Sequence, residues 1–313
     1  MLLNAISQAG TIAVGGHVRP DGDCVGSCMG LYRYVKENFP GKEIQVYLET
    51  VPEALRFLDK DDEIRHEIPE DKTYDLFILL DCGEPTRLGF SKDLCLNALH
   101  TLCVDHHVSN AAWAEQNYVR PDASSTSELI YDLIRHDLIT KECAECLYTG
   151  MVHDTGVFRY SCTHPSTMRA AADLMEKGID FSNIISKSFY EKTFEQNKIL
   201  GKALMDSRML FDGRCAVTSI DQKTMEEFHV NKSDLDGIVS QLKMTKDVDL
   251  AVFMYELEPD VYKVSLRSTE AVDASRVCQK FGGGGHMRAA GFTGQGSAES
   301  VIEMLTEEIK PYF

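Results

Sequence analysis

The first half of the chain alternates short apolar segments with amphipathic ones. The apolar segments have the length of strands, and they cover residues 11–14, 43–48, 75–80 and 100–104. Helical periodicity predicts helices at residues 24–39, 127–137, 141–153, 166–176 and 181–190. Strands that are apolar throughout and separated by helices are typical of a parallel sheet covered on both faces. We therefore expect an α/β fold with an N-terminal, doubly wound, mainly parallel sheet.

The pattern changes after a long amphipathic segment at residues 194–209, which predicts a helix without an internal turn. Beyond it, the pattern predicts strands at residues 213–220, 249–256 and 261–266, the last two joined by a hairpin, and helices at residues 273–281 and 297–308. We therefore expect three parts. These are a large domain at residues 1–190, a helical linker at residues 191–211 and a smaller α/β domain at residues 212–313.

Charge and composition exclude some classes of function. The 313 residues include 49 acidic and 32 basic ones, which gives a formal net charge of −17. This balance argues against binding to long duplex nucleic acid, which requires many phosphates to be neutralised. No apolar run approaches the roughly 18 residues of a membrane span, and the N-terminus lacks the basic start of a secretory signal. We expect a cytoplasmic protein that does not bind membranes.

The ten cysteines mostly lie in apolar surroundings, as Cys82 and Cys103 do inside predicted strands. This pattern is typical of reduced thiols packed as small apolar side chains. Cys143 and Cys146 have the spacing of a redox or zinc pair, but no second pair accompanies them and they fall in a helical pattern. Core packing is therefore the favoured interpretation of this pair.

A cluster of metal-capable side chains follows the first predicted strand. His17, Asp21 and Asp23 lie within the sequence HVRPDGD, where Pro20 and Gly22 favour a turn. The alternative is a turn that caps the next helix, with Asp23 as the N-cap residue. Taken alone, this loop fits both interpretations equally well.

Similar side chains follow two further strands. Asp81 comes directly after residues 75–80, and Asp105, His106 and His107 come after residues 100–104. In an open α/β sheet, ligands bind outside the carboxyl ends of the strands. We therefore expect these side chains to converge on one site.

Asp154, in the sequence GMVHDTGVF, is a further candidate ligand. The alternative interpretations are a turn residue at a helix end for Asp154 and a core histidine for its neighbour His153. Histidine and carboxylate ligands together suit manganese, cobalt or zinc better than calcium. Two such ions, about 3.5–4 Å apart, activate water for in-line attack on phosphorus. A histidine is the natural donor of the proton that the leaving oxygen needs.

The segments HVRPDGDCVGS, LLDCG, VDHH and HDTG closely resemble the four motifs of the DHH phosphoesterases, and SLRS and GGGGHMRAAG resemble the signature of their associated C-terminal domain. The resemblance covers almost the whole chain and is closest to the RecJ-like two-domain proteins. It implies that one metal ion is held by His17, Asp21 and Asp81, and a second by Asp23, Asp81, His106 and Asp154. It further implies that His107 contacts the scissile phosphate and is the acid, and that Asp105 orients a histidine.

The second domain carries a basic island within the acidic chain. Residues 263–288 include five basic and two acidic side chains. A glycine run lets the backbone approach a ligand and offer N–H groups to an anion, and arginine can bind phosphate through two hydrogen bonds. The alternatives are a flexible loop and solvated charges. With the resemblance, we expect substrate binding by a set of residues in this domain and one in the first: Arg267, Ser268, Gly283, Gly284, Gly285, His286 and Arg159.

The resemblance implies a hydrolase that uses two divalent ions, with Mn²⁺ expected. It would degrade very short oligoribonucleotides and dinucleotides such as pApA to nucleoside 5′-monophosphates, and it would dephosphorylate 3′-phosphoadenosine 5′-phosphate. The alternatives are a pyrophosphatase-like phosphohydrolase and a cyclic-dinucleotide phosphodiesterase. A non-catalytic nucleotide sensor is disfavoured because the ligand set is complete. The expected partner is a short oligonucleotide or dinucleotide, and a homodimer is left open.

Overall fold

A computed structural model describes residues 1–69 and 72–313, and it divides the chain into two units, Met1–Glu191 and Lys192–Phe313. Each unit contains its own six-stranded sheet. The chain is therefore an α/β protein with two sheets, as the pattern of apolar segments predicts. Among the residues described, there is no helix of the length and apolarity that a membrane crossing requires.

The sheet of the first unit is parallel throughout. Its strands, in chain order, are β1 Thr11–Gly15, β2 Glu43–Tyr47, β3 Ile64–Arg65, β4 Leu76–Leu80, β5 His100–Asp105 and β6 Gln116–Val119. They are arranged in the order β3-β2-β1-β4-β5-β6. The strand order therefore reverses between β1 and β4, which is the topological switch point where open α/β sheets bind ligands.

The side chains of the central strands are buried on both faces of this sheet. All five residues of β4 are buried, and successive side chains enter opposite cores because side chains alternate along a strand. Ile78 and Leu80 belong to the larger core, whereas Phe77 and Leu79 belong to a smaller one that also contains Leu88. This two-sided burial explains why the strands are apolar throughout instead of alternating.

In the described part of the first unit, seven α-helices accompany this sheet, and two of them pack tightly against each other. The helices are α1 Leu2–Gln8, α2 Gly22–Asn38, α3 Lys92–Leu96, α4 Thr126–Leu133, α5 Lys141–Asp154, α6 Pro165–Glu176 and α7 Phe181–Ile185. Helices α2 and α5 approach so closely that a Cβ at Gly26 would lie 2.6 Å from the carbonyl oxygen of Cys146 and 2.8 Å from the amide nitrogen of Gly150. The glycine is therefore needed for this helix crossing.

Two helices differ from their predicted extents. The helix predicted at residues 127–137 ends at Leu133, because Ile134 is extended and the N–H of Arg135 donates to the hydroxyl of Tyr34. The helix predicted at residues 181–190 is α7 followed directly by a π-helical turn at Ser186–Tyr190. In both cases the apolar periodicity of the sequence continues past the residue at which the α-helical hydrogen bonds of the backbone end.

The second unit has a mixed sheet. Its strands are β7 Arg208–Leu210, β8 Cys215–Ile220, β9 Leu250–Glu258, β10 Val261–Ser268, β11 Gly284–His286 and β12 Ala289–Gln295. The order is β11-β12-β10-β9-β8-β7, with β8 and β9 parallel and the other neighbours antiparallel. The helices are α8 Phe194–Met205, α9 Gln222–Glu227, α10 Ile238–Lys243, α11 Ala274–Lys280 and α12 Ala298–Ile309.

The helix that the sequence analysis assigns to a linker is part of this unit. It is α8, which ends at Met205, and β7 follows where the helix was expected to continue. Ile199 and Ala203 of α8 are fully buried in a core shared with α10 and with one face of β9. Its amphipathic pattern therefore reflects packing within the second unit.

Candidate metal centre and catalytic site

The carboxyl ends of β1, β4 and β5 bring the predicted side chains of the first unit together. Asp81 directly follows β4 and is nearly fully buried. Its backbone has a φ of 55°, in the left-handed region that few residues other than glycine adopt. Strained backbone of this kind clusters at functional sites. Asp81 lies at the centre of the site, since the two histidines at the neighbouring strand ends both approach it.

His17 leaves β1 and faces two carboxylates. Its Nδ1–H donates to the carbonyl of Val18 at 2.9 Å. Its Nε2 lies 3.5 Å from an Asp81 oxygen and 3.7 Å from an Asp21 oxygen. That Asp21 oxygen also caps α2, by accepting N–H bonds from Asp23 and Cys24. The helix is therefore capped by Asp21 and not by Asp23, the residue that the alternative interpretation of this loop assigned to the cap.

His106 lies between Asp81 and the end of α5. Its Nε2 is 3.4 Å from Asp81 Oδ1, 3.0 Å from Asp154 Oδ2 and 4.0 Å from Asp23 Oδ2. Asp154 is the last residue of α5, where the helix dipole disfavours a carboxylate and favours a cation. Asp23, His106 and Asp154 thus form one group whose potential ligand atoms lie within 4.8 Å of one another.

Asp105 holds His107 and is not itself part of that group. Asp105 Oδ1 accepts a bond from His107 Nδ1 at 2.7 Å, and Oδ2 accepts one from the amide of Asn110 at 2.7 Å. Asp105 therefore orients His107, and the hydrogen bond raises the pKa of the His107 imidazole. The role of Asn110 was missed in the sequence, although its position five residues after Asp105 in a loop is a weak signal.

The clustered carboxylates of the site favour the binding of a cation. Burial and the nearby carboxylates raise the pKa of Asp23, and burial, with repulsion from Asp81, raises that of Asp154. Burial also opposes ionisation of Asp81, but hydrogen bonds from His106 and His17 outweigh it and hold the Asp81 pKa below its usual range. Two buried carboxylates and the half-buried one of Asp154, together with histidine nitrogens, are a suitable ligand set for Mn²⁺, Co²⁺ or Zn²⁺. The residues present therefore fit a divalent metal centre.

The two histidines facing Asp81 respond to the same charges. Burial lowers the pKa of His17, but hydrogen bonds to Asp21 and Asp81 raise it to about 12. In His106, hydrogen bonds to Asp154 and Asp81 likewise outweigh burial and raise the pKa to about 12. Without a metal, protons on these rings balance the carboxylates. A divalent ion would displace those protons, because histidine binds a metal ion through a ring nitrogen that carries no proton.

The chain beyond Asp154 turns in an unusual way. Gly156, Val157 and Phe158 all have positive φ values between 55° and 60°. A β-branched residue rarely adopts this conformation, so Val157 stores strain next to the site. The turn is held by the Thr155 carbonyl, which accepts the N–H groups of both Arg159 and Tyr160. Arg159 follows this turn and is exposed.

His153 packs behind the metal-capable loop. A Cβ on Gly22 would lie 2.1 Å from the His153 ring, and the ring of Phe189 lies 5.6 Å away, edge-on. Burial lowers the pKa of His153. The core interpretation of this histidine is thus the one that its surroundings favour. Cys143 and Cys146 are buried as free thiols in α5, in accordance with core packing.

The predicted substrate residues of the second unit surround the β11–β12 hairpin and the end of β10. His286 is exposed at the end of β11, and the guanidinium of Arg267, in β10, donates to the carbonyl of Leu266. Ser268 is buried, and its hydroxyl donates to the carbonyl of Met287, so it holds the hairpin in place.

The glycine run before His286 has a structural cause. A Cβ on Gly283 would lie 2.3 Å from the carbonyl oxygen of Gly291, and one on Gly285 would lie 2.5 Å from that of Ala289. Gly284 has open space at its Cβ position. Close pairing with β12 therefore requires Gly283 and Gly285, whereas the Cβ positions of Gly282 and Gly284 are open.

Carboxylates and imidazoles that converge at the switch point of a parallel α/β sheet define a class of metal-dependent hydrolases. Residues 11–151 match the DHH family, N-terminal domain, and residues 212–312 match the DHHA1 domain. The chain belongs to the DHH family of phosphoesterases, which are metal-dependent.

Individual relatives agree with this membership. The chain is 30% identical to the bifunctional oligoribonuclease and PAP phosphatase NrnA of Thermus thermophilus, over 96% of this chain and 90% of that protein. A crystal structure of an exopolyphosphatase-related protein from Bacteroides fragilis superposes with a TM-score of 0.91 at 27% identity, covering 99% of this chain and 95% of that one. The chain is also 27% identical to the cyclic-di-AMP phosphodiesterase PdeA of Listeria monocytogenes, over 92% of this chain but 45% of that protein.

Proposed function

We propose that this protein is a manganese-dependent phosphodiesterase that hydrolyses very short oligoribonucleotides and dinucleotides to nucleoside 5′-monophosphates. We further propose 3′-phosphoadenosine 5′-phosphate as a second substrate. The observation that carries the proposal is the convergence of buried Asp23 and Asp81 and half-buried Asp154 with two histidines at the switch point. The relatives support the substrate class, because two of them are named as bifunctional oligoribonuclease and PAP phosphatase.

In this proposal, Asp81 would serve two divalent ions. His17 and Asp21 would complete the first set of ligands, and Asp23, His106 and Asp154 would complete the second. The two oxygens of Asp81 support this shared role, since Oδ2 faces His17 whereas Oδ1 faces His106. When bound, the ions would polarise a phosphoryl oxygen and lower the pKa of the attacking water.

His107 is the proposed acid. Asp105 accepts a hydrogen bond from the Nδ1–H of His107. The proton that His107 would give to the leaving oxygen is therefore the one on Nε2. The hydrogen bond to Asp105 raises the pKa of His107, which favours the protonated ring that a general acid requires. Asp105 keeps its orientation because its two oxygens accept the His106 N–H and the amide of Asn110, in addition to the bond from His107.

The second unit is proposed to bind the rest of the substrate. Residues 212–313 would recognise phosphate and base through Arg267, His286 and the backbone near Gly284, and Arg159 of the first unit would add a further phosphate contact. Gly283, Gly285 and Ser268 contribute by fixing the shape of the hairpin. Residues 1–190 form the catalytic domain in this proposal. Buried free thiols support a reducing, cytoplasmic location.

The second candidate function is hydrolysis of cyclic dinucleotides, which the PdeA relative favours by its name. A cyclic substrate lacks a terminal phosphate, so it gains nothing from a residue that recognises one. Pyrophosphate hydrolysis is the third candidate, and it requires no base recognition. These differences make a substrate panel informative.

The test is a panel of pApA, short RNA, 3′-phosphoadenosine 5′-phosphate, cyclic di-AMP and pyrophosphate, assayed with Mn²⁺ and with Mg²⁺. We expect release of 5′-AMP from pApA with Mn²⁺ and the highest kcat/KM on the linear dinucleotide. Preferred hydrolysis of cyclic di-AMP or of pyrophosphate would replace the proposal by the corresponding alternative. The Asp81→Ala variant, purified in the same way, controls for contaminating nucleases.

A further inference from the structure

The N-terminus of α4 contacts the carboxylate of Asp23. The backbone N–H of Thr126 donates to Asp23 Oδ2 at 2.6 Å, and that of Ser127 donates to Asp23 Oδ1 at 2.9 Å. Asp23 is fully buried, so these two amides replace the water that would otherwise solvate its oxygens. Each oxygen keeps one further acceptor position.

Thr126 also reaches the second carboxylate of the site. Its hydroxyl donates to Asp81 Oδ1 at 3.1 Å, the oxygen that faces His106. Thr126 is itself fully buried. One residue therefore contacts both Asp23 and Asp81, through its backbone on one side and its hydroxyl on the other.

Hydrogen bonds and close packing fix the position of the start of α4, and so of Thr126. Ser125 caps the helix by accepting the N–H of Glu128, and the Glu128 carboxylate accepts both the N–H and the hydroxyl of Ser124. On the opposite side, α5 packs so closely that its residue 150 must be glycine. A Cβ at Gly150 would lie 1.9 Å from the Ser127 hydroxyl and 2.7 Å from Asp23 Oδ1. Helices α2, α4 and α5 thus meet at Asp23.

We propose that Thr126 is a positioning residue that sets the spacing of Asp23 and Asp81 and so tunes the affinity of the metal centre. The inference rests on the proposed two-metal function. Partners that orient metal ligands from behind typically change metal affinity about 10–100-fold when they are removed. The hydroxyl is the part of Thr126 that a substitution can remove while the backbone bond to Asp23 remains.

The test compares Thr126→Val, which removes the hydroxyl and keeps the side-chain shape, with Thr126→Ser, which keeps the hydroxyl. The matched control is Thr149→Val. Thr149 is also fully buried, and its hydroxyl donates to the carbonyl of Glu145 in its own helix and to none of the proposed ligands. Binding of Mn²⁺ is measured on metal-free protein by isothermal titration calorimetry, and the melting temperature is recorded with and without Mn²⁺.

We expect Thr126→Val to weaken Mn²⁺ binding about 10-fold or more, and to reduce the rise in melting temperature that Mn²⁺ produces. Thr126→Ser and Thr149→Val should both bind Mn²⁺ as the parent does. Parent-like binding by Thr126→Val, weak binding by Thr126→Ser, or equally weak binding by Thr149→Val would each overturn the role of Thr126. If the parent binds no more Mn²⁺ than Asp81→Ala, the proposed function fails as well, so the two failures are distinguishable.

Discussion

Asp105 and His107 form a fixed pair, in which Oδ1 of the buried carboxylate accepts a hydrogen bond from the imidazole Nδ1–H, with 2.7 Å between the nitrogen and the oxygen. Asp105 is fully buried, whereas His107 remains partly exposed. This arrangement fixes one tautomer of His107 and leaves its Nε2 as the atom that can exchange a proton with a substrate. His107 Nδ1 also lies 3.5 Å from Asp81 Oδ1, so the geometry alone permits a second role as a ligand.

The first prediction separates these two roles. We expect His107→Ala to lower kcat by about 10²–10⁴-fold, the usual contribution of general acid catalysis. Metal content should stay near that of the parent, because the substitution leaves Asp81 and His106 in place. Elemental analysis of the purified variant provides the measurement. Loss of a bound ion would show instead that His107 is a ligand.

The second prediction concerns Asn110, which supports Asp105. The Asn110 amide is oriented by its own oxygen, which accepts the N–H of Ala112 at 2.7 Å, so its nitrogen must face Asp105. Asn110→Asp would place a second carboxylate at that position, and like charges in a buried site repel strongly. We expect Asn110→Asp to lower kcat more than Asn110→Ala, with little change in KM.

Asn117→Ala is the matched control for Asn110. The Asn117 amide donates to the carbonyls of Ala112 and Ala114 in the same loop and does not contact Asp105. It should lower the melting temperature slightly and leave kcat unchanged. If Asn110→Asp and Asn110→Ala have equal kcat values, the charge argument is wrong.

The strand pattern of the first unit could be predicted from the sequence because buried parallel strands are continuous apolar runs. Two of its described strands were not predicted, however. Strand β6, Gln116–Val119, is a half-buried edge strand without an apolar run, and β3 consists of Ile64 and Arg65 alone. Edge strands have one partner and one exposed side, so their sequences carry little of the burial pattern.

The side chains at the strand ends could also be predicted, since the carboxyl ends of parallel strands meet at one edge. The contacts of Thr126 with Asp23 and Asp81 could not. Thr126 is more than 100 residues beyond Asp23, and only the packing of α4 against α2 brings them together. In the sequence, Ser124 and Ser125 are weak candidates for phosphate binding, with a helix cap as the alternative, and Ser125 is the N-cap residue of α4.

The third prediction tests the shared carboxylate. We expect Asp81→Ala to lose both metal ions and all measurable turnover, because its two oxygens face the two proposed sets of ligands. Asp75→Ala, near the other end of β4, is the matched control. Asp75 accepts the N–H groups of Gly10 and Thr11, so its loss should cost stability without loss of metal. Two ions retained in Asp81→Ala would contradict the two-metal assignment.

The fourth prediction compares two glycines in the middle of helices. Gly150→Ala forces a Cβ against Ser127 and Asp23, and overpacking of this kind costs about 1–3 kcal/mol. Gly201→Ala in α8 meets nothing within 4 Å, so it should gain up to about 1 kcal/mol from the better helix propensity of alanine. Urea denaturation of metal-free protein measures both changes. A stabilised Gly150→Ala would show that α4 and α5 separate easily.

The last prediction concerns substrate length. A nuclease that acts on long strands needs a channel lined with basic and aromatic groups. This chain has a single tryptophan and a net charge of −17, and several of its basic side chains are paired, as Arg288 is with Glu270 and Lys280 with Glu308. We therefore propose that binding energy comes from the metal centre and from a few donors such as Arg267 and His286.

Such a site gains little from a fourth or fifth nucleotide, and an acidic surface repels a longer strand. We expect kcat/KM to be highest for substrates of two to about four nucleotides and to fall steadily toward a 24-mer, at one fixed salt concentration. Arg267→Ala should raise KM for the dinucleotide while Mn²⁺ binding stays constant, because Arg267 belongs to the second unit and the metal-capable side chains to the first. Equal efficiency on the 24-mer would instead require a continuous binding channel, which the acidic balance of the chain disfavours.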